Sequence, residues 1–481
     1  MRRYVAILLF FAGSALSSAQ TMLFSSFKNT LNDKSLPVIN ISSGYVFKNK
    51  YVQGTIEIAY YDNGTLIDNT YQCMLRYRGG NSTKYTKKSY AVKLVDENGE
   101  DLDVNLLGIR EENNWILDAM AVDRIRMRNR VCFDIWNQIS FTPYRTDFNN
   151  RNGIKGEFVE VFLNGKYHGI YCLSDKIDRK LLGLKKIKTD DDGGQTVRGL
   201  LYKGKDWKNK SIYLKDYVSW KYDTVIWNSW ELSYPDDFPS KDTWQPMMDL
   251  IDFCNSSPDE FTDHINEWFY IDNLVDLVVF VWALNVGDNV FKNTFLSTVD
   301  ITKGHRYLVS PWDMDMSLYS KWDGTYYDKM AALGRFDTIA PFNKLIEYNI
   351  EGFNDKVRER WMELYDDVFL PDNVFSLLDY YAQRFIESGA WKRESSRWSA
   401  PVPLKQDLME ELDLVKDWYN RNYNYLCEQL MTGSSVGTPF KRPETPVSVY
   451  TIDGIRIDDP DISPDLKPGT YLIDGKIRVV R

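Results

Sequence analysis

The sequence predicts an α+β protein in which a β-rich first part precedes a mainly helical second part. Alternating apolar and polar runs occur at about 20–95, and helical periodicity dominates from about 240 to 430. A chain of 481 residues is long enough for a large core and two or three structural units. We predict a β-rich region with one long helix at 20–215, a helical region at 216–432, a linker at 433–446 and a small β module at 447–481.

The β-rich region shows strands and hairpin turns. Asn-Gly pairs follow alternating runs at two places, and Asn-Gly favours the two-residue hairpin turn. We therefore predict one hairpin about Asn63-Gly64 and another about Asn164-Gly165. Further strands are predicted at 71–78 and 87–94.

Helical periodicity predicts a helix from about Trp115 to Ile139 and several more in the second part. The most apolar of these, Leu274 to Leu284, is too short to span a membrane and carries Asp276, so it is predicted to be a buried core helix. Helices are also predicted at 359–369 and 404–430.

The N-terminus has the pattern of a signal peptide. Arg2 and Arg3 precede an apolar stretch from Val5 to Gly13, and small residues at 17–19 suit a cleavage site. We therefore predict a signal peptide at 1–19 and an exported protein, located in the periplasm, at the cell surface or outside the cell. No later segment is predicted to span the membrane.

Charge and cysteine content exclude two classes of partner. The net charge of −9 and the pI near 5.2 argue against nucleic acid, which requires a basic face. Five scattered cysteines without a C-x-x-C pair argue against a structural zinc site. A domain of this size needs no disulfides, so we predict mostly buried, unpaired cysteines.

The candidate chemistry lies in NVGDNVFKN (285–293) and in the acidic sequence Pro-Trp-Asp-Met-Asp (311–315). Asp288 and Asn293 are five residues apart, which is the spacing of the catalytic Asp and the metal-binding Asn in the kinase catalytic loop. Asp313 follows an apolar run and is predicted to be a metal ligand, with Asp315 either a second ligand or a salt-bridge partner. Such oxygen ligands suit Mg²⁺.

Five blocks in one order resemble the CotH (spore-coat protein H-like) family of atypical secreted kinases. They read RGGNSTKYTKKSYAVKL (78–94), NNWILDAMAVDRIRMRNR (113–130), VFLNGKYHGIYCLSDKID (161–178), GDNVFKN (287–293) and SPWDMD (310–315). The tail resembles the short C-terminal β modules of secreted Bacteroidetes proteins.

The resemblance implies an atypical bilobal protein-kinase-like fold with a β-rich small lobe and a helical large lobe. It also implies transfer of the ATP γ-phosphoryl group to Ser or Thr hydroxyls of a secreted or surface protein, with Mg²⁺ (or Mn²⁺) as cofactor. Asp288 is then the general base, and Asn293 and Asp313 are the metal ligands.

The phosphate-binding group is left open between Lys93 and Lys88. Tyr90-Ala91-Val92-Lys93 resembles the kinase V-A-I-K strand, although a strand lysine more often faces solvent. Arg78 and the loop after it are a candidate phosphate cradle or an ordinary hairpin turn. Asp175 stands where the family usually has Glu, and its shorter reach bears on its expected pairing with the lysine.

Two other functions stay open at this point. One is an inactive kinase-like surface scaffold or adhesin, which the scarcity of ATP outside the cytoplasm favours. The other is a glycan-binding or glycan-cleaving protein, suggested by export, carboxylates and an aromatic content of 15%. The sequence does not predict the oligomeric state.

Overall fold

The protein has a mixed α+β fold, which confirms the class predicted from the sequence. A computed structural model describes residues 22–146, 150–217 and 222–431 together with four short strands of the tail. The predicted signal peptide and linker lie outside the described residues. None of the helices within these ranges combines the length and apolar character of a membrane span.

The first part of the chain is built around a closed barrel of seven strands. Its elements are, in chain order, α1 (Phe24–Lys28), β1 (Val38–Ser43), β2 (Val52–Asp62), β3 (Thr65–Arg78), β4 (Ser89–Val95), β5 (Val104–Asn105), β6 (Glu111–Glu112), β7 (Asn114–Asp118), α2 (Arg128–Ile139), β8 (Gly156–Leu163) and β9 (Lys166–Ser174). The barrel order is β1-β2-β3-β4-β7-β9-β8, and the parallel pair β1–β8 closes it. The two-residue strands β5 and β6 pair with each other.

Both predicted hairpins are confirmed, and their turns have the expected backbone. Asn63 and Gly64 have φ angles of 49° and 78°, and Asn164 and Gly165 have φ angles of 49° and 75°. A left-handed backbone at both central residues defines the type I′ turn, whose twist matches the strands that it joins. The turns therefore fix the register of β2 with β3 and of β8 with β9.

The second part combines a five-stranded antiparallel sheet with a set of helices. Its elements are β10 (Lys188–Thr189), β11 (Gln195–Thr196), β12 (Leu200–Gly204), β13 (Ile226–Trp227), β14 (Trp230–Tyr234), α3 (Lys241–Cys254), α4 (Pro258–Trp268), α5 (Ile271–Leu284), β15 (Thr294–Thr298), β16 (Leu308–Pro311), α6 (Phe342–Glu347), α7 (Phe353–Leu364), α8 (Pro371–Glu387), α9 (Ala390–Arg397) and α10 (Leu408–Met431). The sheet order is β13-β14-β12-β15-β16. The predicted buried core helix is confirmed as α5.

The helix predicted from Trp115 to Ile139 is wrong in its first half. Residues 114–118 form β7, which pairs with β4 and β9 inside the barrel. Positive φ angles at Met120 (48°) and Arg126 (59°) are incompatible with a continuous helix. The helix therefore begins only at Arg128.

Two main hydrophobic cores follow from this arrangement. One fills the barrel interior, and the larger one lies among the sheet and helices of the second part. Helix α2 packs in the larger core, where the rings of Trp136 and Phe280 are 5.0 Å apart. The segment between β7 and α2 therefore leads from the barrel to the helical part. The predicted domain boundaries stay predictions.

The described strands of the tail form a separate four-stranded antiparallel sheet. They are β17 (Val449–Thr451), β18 (Arg456–Ile457), β19 (Gly469–Ile473) and β20 (Lys476–Val480), in the order β18-β17-β19-β20. The cysteine prediction is confirmed, because all five are free and only Cys427 is partly exposed.

Candidate functional site

The loop that follows α5 is tied to the segment that follows β16. Helix α5 ends at Leu284, and the left-handed backbone of the next residue, Asn285 (φ 47°), turns the chain away from the helix axis. The Gly287 N–H donates to the Met316 carbonyl at 2.9 Å. A Cβ at Gly287 would lie 2.5 Å from the terminal methyl carbon of Met316, so a larger residue here would displace the Met316 side chain.

Asn289 links the same two segments from inside. Its buried side-chain amide donates to the carbonyl oxygens of Asn293 (2.8 Å) and Trp312 (2.7 Å). The Trp312 N–H donates to the Asn293 carbonyl at 2.7 Å, and the Asn293 N–H donates to the Gly204 carbonyl at 3.0 Å. Asn293 therefore lies between the end of β12 and the residue that precedes Asp313.

Asp313 lies directly after β16 with a positive φ of 58°. Solvent reaches its side chain, yet the surrounding protein desolvates the carboxylate and raises its pKa. The charge of Asp118 raises this pKa further, and the nearby cations Lys203 and Arg78 oppose the rise. These properties describe a solvent-exposed carboxylate flanked by charges of both signs, and we call this charged, solvent-accessible region the cleft.

Asp315 is still more strongly perturbed. Burial raises its pKa well above the ordinary value, and the charges of four other acids, Asp313, Asp118, Asp123 and Asp288, raise it further. Within the part of the chain that the structure describes, neither Asp313 nor Asp315 makes a side-chain hydrogen bond or ion pair. The cluster therefore carries excess negative charge that a cation would relieve.

Two cations stand beside the acids without a carboxylate partner. The Arg78 guanidinium lies 5.5 Å from the centre of the Trp312 ring, and the Lys203 ammonium lies 5.4 Å from it. Burial and the Arg78 charge lower the pKa of Lys203 to about 8. Burial also lowers the pKa of Arg78. Among the described residues neither cation forms an ion pair within 4.0 Å, so both are available to an anionic ligand.

Asp288 lies at the edge of the same cluster. It forms an ion pair with Lys292, which lies four residues further along the loop. The Lys292 charge also lowers the pKa of Asp313, and the Asp288 charge raises that of Asp315. The structure thus brings Asp288, Asp313, Asp315 and Arg78 together, with Asn293 in the adjoining backbone.

The two lysines predicted to bind phosphate are not part of this group. Lys93 pairs with Asp101 at 2.5 Å, and it alternates with Val92 and Leu94, whose side chains fill the barrel. It therefore points away from the barrel interior. Lys93 is four residues from Ser89, the first residue of β4, which corresponds to about 13 Å along the strand. Lys88 donates to the Thr83 carbonyl at 2.7 Å and closes the turn after β3.

Asp175 is bound by arginines and has no lysine partner among the described side chains. It accepts from Arg151 at 2.5 Å and contacts the Arg110 guanidinium at 3.0 Å. The Lys155 backbone N–H donates to its other oxygen at 2.9 Å. The expected pairing of Asp175 with a phosphate-binding lysine is therefore not seen.

Asp118 and Lys203 are site residues that the sequence did not point to, and Asn129 holds one of them in place. Asn129 accepts from the Met314 N–H at 3.0 Å and donates to Asp118 at 3.3 Å, so it holds the acidic segment against the end of β7. Asp118 carries the signal that identified Asp313, an acid directly after an apolar strand. Lys203 gave no comparable signal, because one lysine in a short apolar strand is ordinarily an outward-facing residue.

A helix through the block at 123–129 would place Asp123 beside Arg126, three residues further on, but this pair does not form. Asp123 instead forms an ion pair with Arg128, because the segment is not helical. Its carboxylate also accepts from the N–H groups of Ile125 (3.0 Å) and Arg128 (2.7 Å). These contacts brace the segment, since Arg128 also donates to the Leu318 carbonyl at 3.1 Å.

The donor set fits a metal–phosphate ligand better than a bare metal ion. In the described ranges no three His, Cys, Asp or Glu side chains converge on a preformed metal site. Mg²⁺ typically uses one or two carboxylates and completes its shell with water and substrate phosphates. Uncompensated acids beside unpaired cations offer sites for both the metal and the phosphates.

Fold and site together describe an α+β protein with a charged cleft suited to an anionic ligand and its metal. A sequence model of the family described as CotH kinase protein matches residues 75–426, well over half of the chain. This protein belongs to that family. The match spans every cleft residue named above and ends before the tail. A search of curated proteins found no match.

Proposed function

We propose that this protein is an exported, Mg²⁺-dependent atypical kinase with a bilobal kinase-like architecture. It transfers the γ-phosphoryl group of ATP to Ser or Thr hydroxyls of a secreted or surface protein. The observation that carries the proposal is the cleft in which Asp313 and Asp315 stand unpaired beside the unpaired cations Arg78 and Lys203. Family membership supports kinase chemistry, and the export part rests on the N-terminal sequence alone.

In this proposal each charged group of the cleft has one role. Asp313 and Asp315 hold the metal, with Asn293 as a further oxygen ligand. Arg78 and Lys203 bind the phosphates, and both cations are held in place by cation–π contacts with the Trp312 ring. Bound Mg²⁺ (or Mn²⁺) supplies neutralisation of phosphate charge, which is the main requirement of phosphoryl transfer.

Asp288 is the proposed general base. It lies at the edge of the acidic cluster, where an acceptor hydroxyl can approach the phosphate from solvent. Lys292 forms an ion pair with the Asp288 carboxylate, and the charge of Lys292 also lowers the pKa of Asp313. The proton of the acceptor hydroxyl passes to Asp288 as the oxygen bonds to phosphorus and the bond to ADP breaks.

Lys203 replaces Lys93 and Lys88 as the proposed phosphate-binding lysine. Lys93 already has a carboxylate partner, and Lys88 is bound to a backbone carbonyl. Lys203 has neither kind of partner among the described residues, and its low pKa shows that the cleft destabilises its charge. A phosphate at this position would restore the missing negative charge.

A glycan site receives less support, because much of the tryptophan content lies in the core. Six tryptophans are fully buried, and a glycan platform needs exposed rings. They are Trp115, Trp136, Trp230, Trp244, Trp361 and Trp418. An inactive kinase-like scaffold is the alternative that the experiment below separates.

The proposal is tested by phosphoryl transfer from γ-labelled ATP to the protein itself and to dephosphorylated casein, with Mg²⁺ or Mn²⁺. We expect Asp288→Asn to lower the rate by about 10²–10⁴-fold, as for loss of a general base. Asp313→Asn should remove both transfer and nucleotide binding. The control is Asp323→Asn, since Asp323 holds only its own turn through Thr325.

Transfer that survives Asp313→Asn unchanged would contradict the assignment of the site. Wild-type protein that neither binds nucleotide nor transfers phosphate with either metal would make the kinase-like scaffold the better description.

A further inference from the structure

Helix α9 makes two buried charged contacts with the barrel through adjacent residues. Arg393 donates to both oxygens of Glu160 on β8, at 2.7 and 2.6 Å. Glu394, the next residue, accepts from Lys87 at 2.6 Å and from Arg126 at 2.7 Å. The two contacts start from one helix, but only the second reaches the segment between β7 and α2.

Glu394 is the central anion of a fully buried group. The side chains of Glu394, Lys87 and Arg126 are all 0% exposed. Burial alone would raise the pKa of Glu394, but the charges of Lys87 and Arg126 outweigh this effect and lower it. Burial lowers the pKa of Lys87 to about 7, against the attraction of Glu394. The second Glu394 oxygen accepts from the Ile170 N–H at 2.8 Å.

Arg126 extends this contact into the segment that follows β7. Its Nη1 donates to the carbonyl oxygens of Met120 (2.6 Å), Ala121 (3.0 Å) and Asp123 (2.7 Å). Its own backbone has a φ of 59°, which an arginine rarely adopts without such restraint. The guanidinium therefore holds the turn in one conformation, and Glu394 holds the guanidinium.

The clamped turn connects directly to the acidic cleft. Asp118 precedes the turn, and Asn129 follows it at the start of α2. Asn129 bonds to Asp118 and also accepts from the Met314 N–H, which lies between Asp313 and Asp315 in the chain. A continuous series of hydrogen bonds and chain connections thus leads from Glu394 to the two proposed metal ligands.

We infer that Glu394 is a positioning residue for the acidic cleft, acting through Arg126 and the turn at 119–127 on Asp118, Asn129 and the Met314 backbone. Its effect on nucleotide binding rests on the proposed function. Its effect on the order of the cleft does not, and the two can be measured separately.

The test compares Glu394→Gln with Glu160→Gln in the mature chain. Each substitution removes one buried carboxylate charge: that of Glu394 on α9, or that of Glu160 on β8, which pairs with Arg393 of α9. No hydrogen bond among the described residues links Glu160 to the turn at 119–127. Amide hydrogen exchange is followed in peptides covering 119–130 and 312–318 at a temperature where each variant remains folded. Affinity for Mg²⁺–ATP is measured on the same samples.

We expect Glu394→Gln to accelerate exchange in both peptides by about tenfold or more, because the clamp on the turn is weakened. We expect Glu160→Gln to leave both peptides unchanged. Affinity for Mg²⁺–ATP should fall by about 10–100-fold in Glu394→Gln, the usual cost of losing a residue that supports metal ligands. Arg126→Lys, which keeps the charge but loses the fork, should give the same pattern more weakly and serves if Glu394→Gln does not fold.

Equal exchange in the 312–318 peptide of the two glutamine variants would overturn the inference, since Glu394 would then be an ordinary structural anchor. If wild-type protein binds no nucleotide, the proposed function fails, and the exchange data alone still decide whether Glu394 positions the cleft.

Discussion

The charged cleft differs from a second group of charged residues, which we call the brace and which comprises Asp123, Glu394 and the cations paired with them. Both regions contain acids and cations, but only those of the brace are paired with each other. In the brace, Asp123 and Glu394 each accept from cations and backbone N–H groups, so their charges are matched inside the protein. In the cleft, Asp313 and Lys203 have no such partners among the described residues. The comparison teaches that the charges of the brace are matched inside the protein, whereas the desolvated charges of the cleft remain available to a ligand.

The comparison also separates stability from function. Breaking a matched buried pair leaves an uncompensated charge and should destabilise the fold. Removing an unmatched charge from the cleft should remove its repulsion by neighbouring charges or its desolvation penalty, so the free energy of unfolding should not fall. Sites that bind ligands commonly show this trade-off.

The largest expected effect on stability lies in the brace. Asp123→Ala removes the ion pair with Arg128 and the acceptor for the backbone N–H groups of Ile125 and Arg128. We expect the free energy of unfolding to fall by about 3–5 kcal/mol, measured by urea denaturation. The control is Asp101→Ala, which breaks the part-exposed pair with Lys93 and should cost about 1 kcal/mol or less. Similar losses in the two variants would erase the distinction between brace and surface.

A smaller effect of opposite sign is expected in the cleft. Asp315 is surrounded by the charges of other acids, and burial further disfavours its ionised form. We expect Asp315→Asn to raise the free energy of unfolding by about 0.5–2 kcal/mol in the absence of ligand, measured in the same urea experiment. A clear loss of stability would show that Asp315 has an internal partner and belongs with the brace.

Asp276 is an intermediate case, since it is buried like the brace but has one charged partner, Arg360. Burial raises its pKa from 3.8 to about 7, although Arg360 donates to it at 2.8 Å and opposes the rise. Because the folded state then keeps this proton to a higher pH than the unfolded state, the contribution favours folding at low pH. It is lost as the pH rises from 3.8 towards about 7.

We therefore expect the melting temperature of Asp276→Asn, relative to wild type, to rise between about pH 4 and about pH 8. Thermal denaturation across this range measures the difference. A difference in melting temperature that does not change with pH would mean that Arg360 keeps Asp276 ionised throughout the range. Asp276 and Arg360 would then be a matched ion pair like those of the brace.

The sequence predicted the parts of this arrangement that depend on local pattern. The two Asn-Gly hairpins, the core helix α5 and the acid after β16 all follow from neighbouring residues. The helix start at Arg128 could not be predicted in this way, because periodicity in 115–127 is overridden by strand pairing in the barrel and by the clamp on Arg126.

The choice of lysine shows why the rest of the site was missed. Tyr90-Ala91-Val92-Lys93 has the more suggestive local sequence, but strand alternation places Lys93 outside the barrel beside Asp101. Lys203 reaches the cleft only because β12 lies next to β15 in the sheet, which is a tertiary contact. Family blocks identified the acids and Arg78, whereas the position of Lys203 beside them depends on the fold.

Calorimetric titration of Mg²⁺–ATP into wild type, Lys203→Met and Lys93→Met tests the central claim most directly. Both variants replace a strand lysine by the same apolar side chain, so they differ only in where the charge stood. We expect Lys203→Met to weaken binding by about 10–100-fold, as for loss of a charge-assisted hydrogen bond of about 1.5–3 kcal/mol, and Lys93→Met to bind like wild type. The reverse pattern, with Lys93→Met weakened and Lys203→Met unaffected, would contradict the account.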